Sequence, residues 1–372
     1  MSDPVLWPID DHTRAKHRVL AAYIKAWIPV MAQQAQKVPR FGDSKPRLLI
    51  VDGFAGPGRY VDGEPGSPLI MLHALLSHVV LPRVAAVRFI FLFIERDRRR
   101  IAHLQGEIQE IALPANVEVH IEHGAFEETF RELVESIKGA DKTLIPSFAF
   151  IDPFGYSTSS MSLAGKFLDF PRSEALFFLP LSFVHRFVGR QGQEDALTNL
   201  FNTDRWRDAV SLEGDARREF LLHLFEDQLR RQGQVAFVTS FELRTRDGND
   251  YRLVFATGHQ RGLELMKRAM WSVDPLQGTR YLARTETGQE VLFQPTVDTG
   301  PLLAELQSVF GRNAFTVPDA SRVTLLRTPY LPDGHLKRLT LVPAEKRGVL
   351  HVTRPQVRRA GSFTDDVVMR FV

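Results

Sequence analysis

The sequence predicts an α/β protein: an open, Rossmann-like, mostly parallel sheet with helices on both faces, followed by a small C-terminal domain of helices and a short strand pair. Three observations carry this. Largely apolar runs recur at Leu48–Val51 and Val87–Ile94, with further strands at Val117–Ile121, Phe148–Ile151 and Glu174–Leu181, and continuous apolar strands are those covered on both faces. Helical stretches alternate with them, such as Arg98–Ile111 and the segment opening near Glu127, which is the pattern of parallel strands joined by crossovers. A hairpin then follows, Gln234–Arg244 and Asp250–Thr257 around Asp247 and Gly248, to close the sheet with an antiparallel strand.

Length and composition fit one large domain or two in 372 residues. We expect a helical segment at 1–40, the sheet domain at 41–296 and a basic domain at 297–372. The chain has no cysteine, which excludes disulfides and thiolate metal sites. Its net charge of +3 is too small to establish a nucleic-acid partner. No apolar run approaches the roughly 20 residues of a membrane span, and Asp3, Asp10 and Asp11 do not suit a signal peptide. A soluble, cytoplasmic protein without a membrane partner is the expectation. His12, His17, His123 and His185 are scattered without H-E-x-x-H spacing, so no metal site is expected. A G-x-S-x-G nucleophile elbow is missing from the sequence.

Near the N-terminus, Thr13–Lys37 reads as a helix with Lys16 and His17 near its start. Tyr23 and Trp27 at i, i+4 are core contacts. The first strand runs into L-L-I-V-D-G-F-A-G-P-G. Asp52 stands where the strand leaves the core, and Gly53, Gly56 and Gly58 around Phe54 and Ala55 let the backbone turn tightly and approach a ligand. The same glycines also suit a plain turn. Neither G-x-x-x-x-G-K-[ST] nor G-x-G-x-x-G is present. Ser67 and Pro68 read as N-cap and first residue of the next helix. The second strand ends in Glu95, Arg96, Asp97. Glu95 is the candidate to accept hydrogen bonds from a ribose diol; these acids also suit helix capping, Asp97 above all. The third strand leads to His123, Gly124, Ala125 and Phe126, the fourth to Asp152, Pro153, Phe154 and Gly155.

The first turn resembles motif I of class I S-adenosyl-L-methionine (SAM) methyltransferases, where an acid and a glycine turn enclose the amino-acid end of the cofactor. The resemblance implies SAM bound by Asp52, Gly53, Phe54, Ala55, Gly56, Gly58, Glu95 and Arg96, with Gly124, Ala125, Phe126 and Asp152 completing the site. Ala125 departs from the polar residue common there, so an adenine contact would fall to backbone groups or to the Phe126 ring. D-P-F-G at Asp152–Gly155 resembles the [DN]-P-P-[FY] turn of amino-methyltransferases acting on nucleobases, and more closely the D-P-F-G of tRNA guanine N2-dimethyltransferases. An exocyclic amine is a poor nucleophile because its lone pair is delocalised into the ring. Accepting its two N–H bonds, by the Asp152 carboxylate and the Pro153 carbonyl, frees that lone pair, with Phe154 or Tyr156 stacking on a flipped base. An Asp-Pro turn that only closes a strand is the alternative.

The C-terminal part is expected to hold helices at Pro301–Phe310, Thr316–Arg327 and His335–Leu341 and a wing from Gly348–Arg354 and Ser362–Val372, which suggests a winged helix. Lys337, Arg338, Arg347 and Arg354 are its candidate phosphate contacts. A protein-docking domain with a solvated basic face fits equally. Nearly end to end, the chain resembles the three-Cys-motif partner family of bacteria, through K-H-R-V-L-A-A-Y-I-K-A-W, D-G-F-A-G-P-G-R-Y, G-S-P-L, F-I-E-R-D, F-I-D-P-F-G-Y-S and Y-R-L-V-F-A-T-G-H. That resemblance implies a partner with three cysteines, itself similar to radical SAM enzymes. The resulting expectation is a SAM-dependent methyltransferase acting on an exocyclic amine, with a nucleobase of DNA or RNA as leading acceptor. A catalytically silent subunit of the three-cysteine protein, and a small-molecule or peptide methyltransferase, are the alternatives.

Overall fold

The computed structural model describes residues 4–37, 45–139, 145–153, 160–283, 296–355 and 361–372. The chain divides into two compact units, Met1–Leu265 with Tyr281–Thr285, and Met266–Arg280 with Glu286–Val372. The segment expected to stand apart at 1–40 is therefore part of the first unit, and the division falls at Leu265 instead of near 296.

In the first unit, α1 (Asp11–Lys37) precedes β1 (Arg47–Asp52), α2 (Ser67–Leu76), a 3-10 turn (Leu81–Val84), β2 (Arg88–Glu95), α3 (Arg98–Gln109), β3 (Val117–His123) and α4 (Phe126–Gly139). There follow β4 (Ser147–Ile151), α5 (Met161–Leu168), β5 (Ser173–Leu179), α6 (Leu181–Phe187), α7 (Glu194–Phe201), a 3-10 stretch (Asp204–Ser211), α8 (Gly214–Gln232), β6 (Phe237–Arg244) and β7 (Asp250–Thr257). Then α9 (Gln260–Val273), which belongs to the second unit from Met266 onward, leads to β8 (Arg280–Leu282). The sheet order is β3-β2-β1-β4-β5-β7-β6-β8. β1 to β5 are parallel, and β7 runs antiparallel to both its neighbours. The protein is thus a mixed α/β fold around one large sheet.

Burial explains the strands. β1 after its first residue, and β4 and β5 throughout, are buried, as their unbroken apolar runs require. β5 stops at Leu179, not Leu181: Pro180 has no N–H for the ladder, and Leu181 opens α6. Ser67 is the first residue of α2, whose N-cap is Gly66 without a side-chain bond, so the expected Ser67 cap is corrected. Asp97 does cap α3, accepting the Arg99 N–H at 2.8 Å. A continuous core under the sheet includes Phe130, Phe167, Phe177, Phe201 and Phe225.

α1 is tied to the sheet at one buried carboxylate. Glu174, at the start of β5, accepts from the Tyr23 hydroxyl, the Trp27 indole and the Thr257 hydroxyl, each at 2.6 Å. Phe148 is level with Glu174 across the β4–β5 pair, so Asp152 lies roughly 13 Å along the sheet at about 3.3 Å per residue. Lys16 precedes the middle of the Tyr23–Trp27 turn by roughly the same 13 Å, at about 1.5 Å per residue. The two spacings bring Lys16 level with Asp152.

The second unit has α10 (Gly300–Phe310), β9 (Phe315–Thr316), α11 (Val317–Arg327), a π-helical stretch (Pro332–Leu341), α12 (Val342–Lys346), β10 (Leu350–Thr353) and β11 (Val368–Phe371). Its sheet order is β10-β11-β9, all antiparallel. α11 opens with a reciprocal Thr316–Asp319 capping box. The expected helix at His335–Leu341 follows a break at Asp333 and Gly334, where Gly334 takes φ +77°. The core gathers Trp271, Leu306, Phe315, Leu336, Leu341 and Phe371. Among the described residues no helix is long and apolar enough to cross a membrane.

Candidate functional site

The strand order reverses between β1 and β4, and open α/β sheets bind ligands outside the carboxyl ends of the strands at such a point. Asp52 ends β1 and Asp152 follows β4. The register pairs Asp52 with Phe150, which sets the two acids on neighbouring strand ends. The turn after Asp52 is held from both sides: Gly53 N–H donates to Phe150 O at 2.9 Å and Ala55 N–H to Ile94 O at 3.0 Å. Gly56 and Gly58 take φ of +63° and +85°, a region that disfavours any side chain. At Gly53 a Cβ would lie 2.6 Å from the Phe126 ring, so glycine is needed there for packing.

Two cavities flank this turn and share Phe54. The first is a cavity of about 380 Å³ that brings together Gly53, Glu95, Arg96, Gly124, Ala125 and Phe126. The sequence assigned these to one cofactor, and the fold gathers them. Glu95 is buried and accepts the Gly56 N–H at 2.9 Å on one oxygen and the Asp97 N–H at 2.8 Å on the other. It braces the glycine turn, a role the sequence reading did not assign. A carboxylate offers about four acceptor positions, so capacity for a diol remains. Phe126 stacks on Phe130 at 4.9 Å, and Phe54 stands 5.1 Å from it. Arg96 and Ala125 are exposed.

Asp52 is fully buried. One of its oxygens accepts the Phe54 N–H at 3.1 Å, while Oδ2 has no hydrogen-bond partner. Burial pushes its carboxyl up to about 7, against the opposing pull of the Ser67 hydroxyl and the Phe54 N–H. A buried acceptor without a donor is costly. Glu95 has acceptor capacity suited to a ribose diol, and the Phe126 ring with the Gly124 and Ala125 backbone offers a face and edge suited to a base; Ala55, Gly56 and Gly58 line the other cavity, and Asp52 lies beneath the turn and lines neither.

The second cavity, of about 300 Å³, holds Asp152 and Pro153 together with Trp7, His12, Lys16, Tyr60, Phe178 and Tyr251. Phe154 and Gly155, which the sequence placed in catalysis, and Tyr156, placed in stacking, lie outside the described residues. The sequence places Lys16 near the start of α1 and assigns it no role. Lys16 is buried, forms an ion pair with Asp152, and lies 4.4 Å from the centre of the Phe178 ring. A signal existed: Lys16, Leu20, Tyr23 and Trp27 are spaced i, i+4, i+7, i+11, so a lysine stands in line with an apolar stripe. His12, Phe178 and Tyr251 form a wall of nearly parallel rings: His12 to Tyr251 is 4.8 Å at 2°, and Phe178 to Tyr251 is 5.0 Å at 18°. Burial, then the Lys16 charge, lowers the His12 pKa, which favours the neutral ring. Tyr60 meets Trp7 edge to face at 6.1 Å. Its loop is latched to Trp7 by Val61 N–H to Trp7 O at 3.1 Å and to α1 by Arg14 Nε to Glu64 at 2.8 Å.

Of the four basic residues expected to meet phosphate in the second unit, Arg338 and Arg347 are exposed and Lys337 is half-buried. Arg354 is corrected. Its guanidinium makes a two-pronged bond to Glu345 at 2.7 and 2.8 Å and donates to Ser362 O at 3.2 Å, so its donors are committed within the fold. Among the described residues no group of three or more His, Asp or Glu could hold a metal ion.

No protein-family model and no curated protein matches the sequence. Solved structures with similar backbone include an O-methyltransferase from Bacillus cereus in complex with SAH, with 11% identity, TM-score 0.32, covering 64% of this chain and 80% of that one. A human methyltransferase 10 domain containing protein matches with 13% identity and TM-score 0.30, over 64% of this chain and 82% of that one. A cyclopropane synthase from Mycobacterium tuberculosis matches with 12% identity and TM-score 0.26, over 66% of this chain and 69% of that one. At these scores the likeness does not bear on what this chain does.

Proposed function

We propose that the first unit is a SAM-dependent methyltransferase acting on an exocyclic amine, with a nucleobase of DNA or RNA as its acceptor. The observation that carries this reading is the pair of cavities sharing Phe54: one collects Glu95, Gly124, Ala125 and Phe126, groups suited to an adenosine, and the other holds Asp152 beside Ala55, Gly56 and Gly58 of the glycine turn. Bound SAM supplies a methyl group on a positively charged sulfur. The chain's own residues then have separate tasks. Asp52, the glycine turn and Glu95 hold the cofactor. The Asp152 carboxylate and the Pro153 carbonyl accept the N–H bonds of the amine and so expose its lone pair, a bond that strengthens as the nitrogen gains positive charge and therefore lowers the barrier.

Calorimetric titration with SAM, combined with transfer of labelled methyl to cellular nucleic acid, tests this. Glu95→Ala is expected to weaken SAM binding by about 1 to 3 kcal/mol. Asp152→Ala is expected to leave SAM binding intact and to lower transfer by roughly two to four orders of magnitude. Measurable SAM binding without transfer to nucleic acid, peptide or metabolite would sink the enzyme reading.

One observation favours a second reading. Lys16 occupies Asp152 in an ion pair, as it would in a catalytically silent subunit serving the three-cysteine protein. For the second unit, the order α10, β9, α11, the π-helical stretch running into α12, β10, β11, with β11 between β10 and β9, supports a winged-helix reading, with Lys337, Arg338 and Arg347 available to phosphate.

A further inference from the structure

The Lys16–Asp152 pair sets a donor and an acceptor side by side inside an aromatic cavity. An ammonium has three N–H donors and no acceptor, and a carboxylate has only acceptors. The bond between them uses one Lys16 donor and one of the acceptor positions of Asp152, so each keeps capacity for a ligand. An ion pair between a buried lysine and a half-buried carboxylate is a poor stabiliser of a fold, because desolvation offsets the attraction. Their position within a cavity lined by Trp7, His12, Tyr60, Phe178 and Tyr251 gives them an edge to read and flat rings to face it.

We propose that Lys16 and Asp152 together select an amine that stands directly beside a hydrogen-bond acceptor in a planar ring, the amidine edge of an aminopyrimidine or aminopurine. The amine donates to Asp152, and the neighbouring ring nitrogen accepts from Lys16. The aromatic walls bury the ring faces, which a flexible alkylamine would leave unpacked. A ring with the reversed pattern, a carbonyl beside a ring N–H, puts two acceptors against each other at Asp152 and two donors at Lys16. A site built on hydrogen bonds rejects such an isostere strongly. This inference rests on the methyl-transfer reading for its biological sense, and its binding chemistry stands apart from it.

The test uses two pairs of close isosteres, cytidine against uridine and adenosine against inosine, titrated into the full chain and followed by NMR or calorimetry. Wild type is expected to bind the amine member of each pair at least about tenfold more tightly, the factor that about 1.4 kcal/mol produces. Lys16→Met is expected to lower each preference to the share that Asp152 carries, Lys16→Met together with Asp152→Ala to bring each pair within about twofold of equality, and Lys16→Arg, which retains donors, to lower the preference less than Lys16→Met. Should Lys16→Met fail to fold, Lys16→Gln, whose amide offers two N–H donors and an acceptor without the charge, is expected to lower the preference without abolishing it. Equal binding within each pair, no binding of any of the four, or a preference that Lys16→Met leaves undiminished overturns the proposal. A parallel titration with SAM separates the two ideas. An amine preference without SAM binding leaves this site standing and removes the methyl-transfer reading; SAM binding without the preference does the reverse.

Discussion

Asp52 shows how one buried atom links stability to ligand binding. Its carboxyl titrates near 7 in the folded chain and near its ordinary 3.8 when unfolded, burial being the main cause. Between those values the native state holds the extra proton, so stability falls as pH rises through that window and is level above it. The loss is at most roughly 4 kcal/mol. Asp52→Asn removes the titrating group, so wild type should lose more stability than the variant between pH 5 and pH 8 in urea unfolding; parallel profiles would remove the assignment. The orphaned Oδ2 adds a second expectation. A ligand ammonium at that oxygen favours the ionised carboxylate and should expel its proton. SAM binding near pH 6 should then release protons, seen as a calorimetric enthalpy that depends on the ionisation enthalpy of the buffer. An enthalpy independent of buffer would place the ammonium elsewhere.

At the scale of elements, α1 is a strut between the two ends of the sheet. Tyr23 and Trp27 fix it at Glu174, and Lys16 reaches Asp152 at the opposite strand ends. Glu174→Ala leaves three buried donors without an acceptor and is expected to cost about 3 to 5 kcal/mol, as a lowered urea midpoint with unchanged slope. Gly262→Ala should also destabilise, since its Cβ would stand 2.1 Å from Glu174 Oε1. These contacts explain what the sequence conceals. Strands β1, β4 and β5 are legible because burial on both faces demands unbroken apolar runs, and the places of Asp52, Glu95 and Asp152 at strand ends are legible because each acid closes such a run. Glu174 and its partners are 147 and 151 residues apart along the chain, and no local pattern pairs them. Lys16 was visible as a cation in an apolar stripe, yet which strand the helix crosses, and at what height, is set only by packing. The bracing of the glycine turn by Glu95 was hidden for a related reason, because a strand-end acid suits a diol, a helix cap and a backbone N–H equally well.

For the whole molecule, charge separates two kinds of arginine in the second unit. Arg354 is an internal clamp: its two hydrogen bonds to Glu345 and its donation to Ser362 O tie α12 to the residue after β10 and to the chain entering β11. Charge-assisted two-pronged pairs of this sort are geometrically demanding. Arg354→Lys should therefore destabilise the unit, because lysine cannot reproduce the fork. Lys337, Arg338 and Arg347 have no such role in the described contacts of their charged groups with acids. If the unit meets nucleic acid through them, each neutralised phosphate releases counterions, and the logarithm of affinity should fall with the logarithm of salt by about 0.7 to 0.9 per contact. Replacing Lys337, Arg338 and Arg347 together by alanine should flatten that slope by roughly 2 to 3 while leaving the thermal midpoint unchanged, whereas Arg354→Lys should lower the midpoint. The measurement is a fluorescence-anisotropy titration of labelled single- and double-stranded DNA and RNA across a salt series. A slope that the triple substitution does not alter would assign these residues a solvated surface, and would direct the search for the unit's partner to protein.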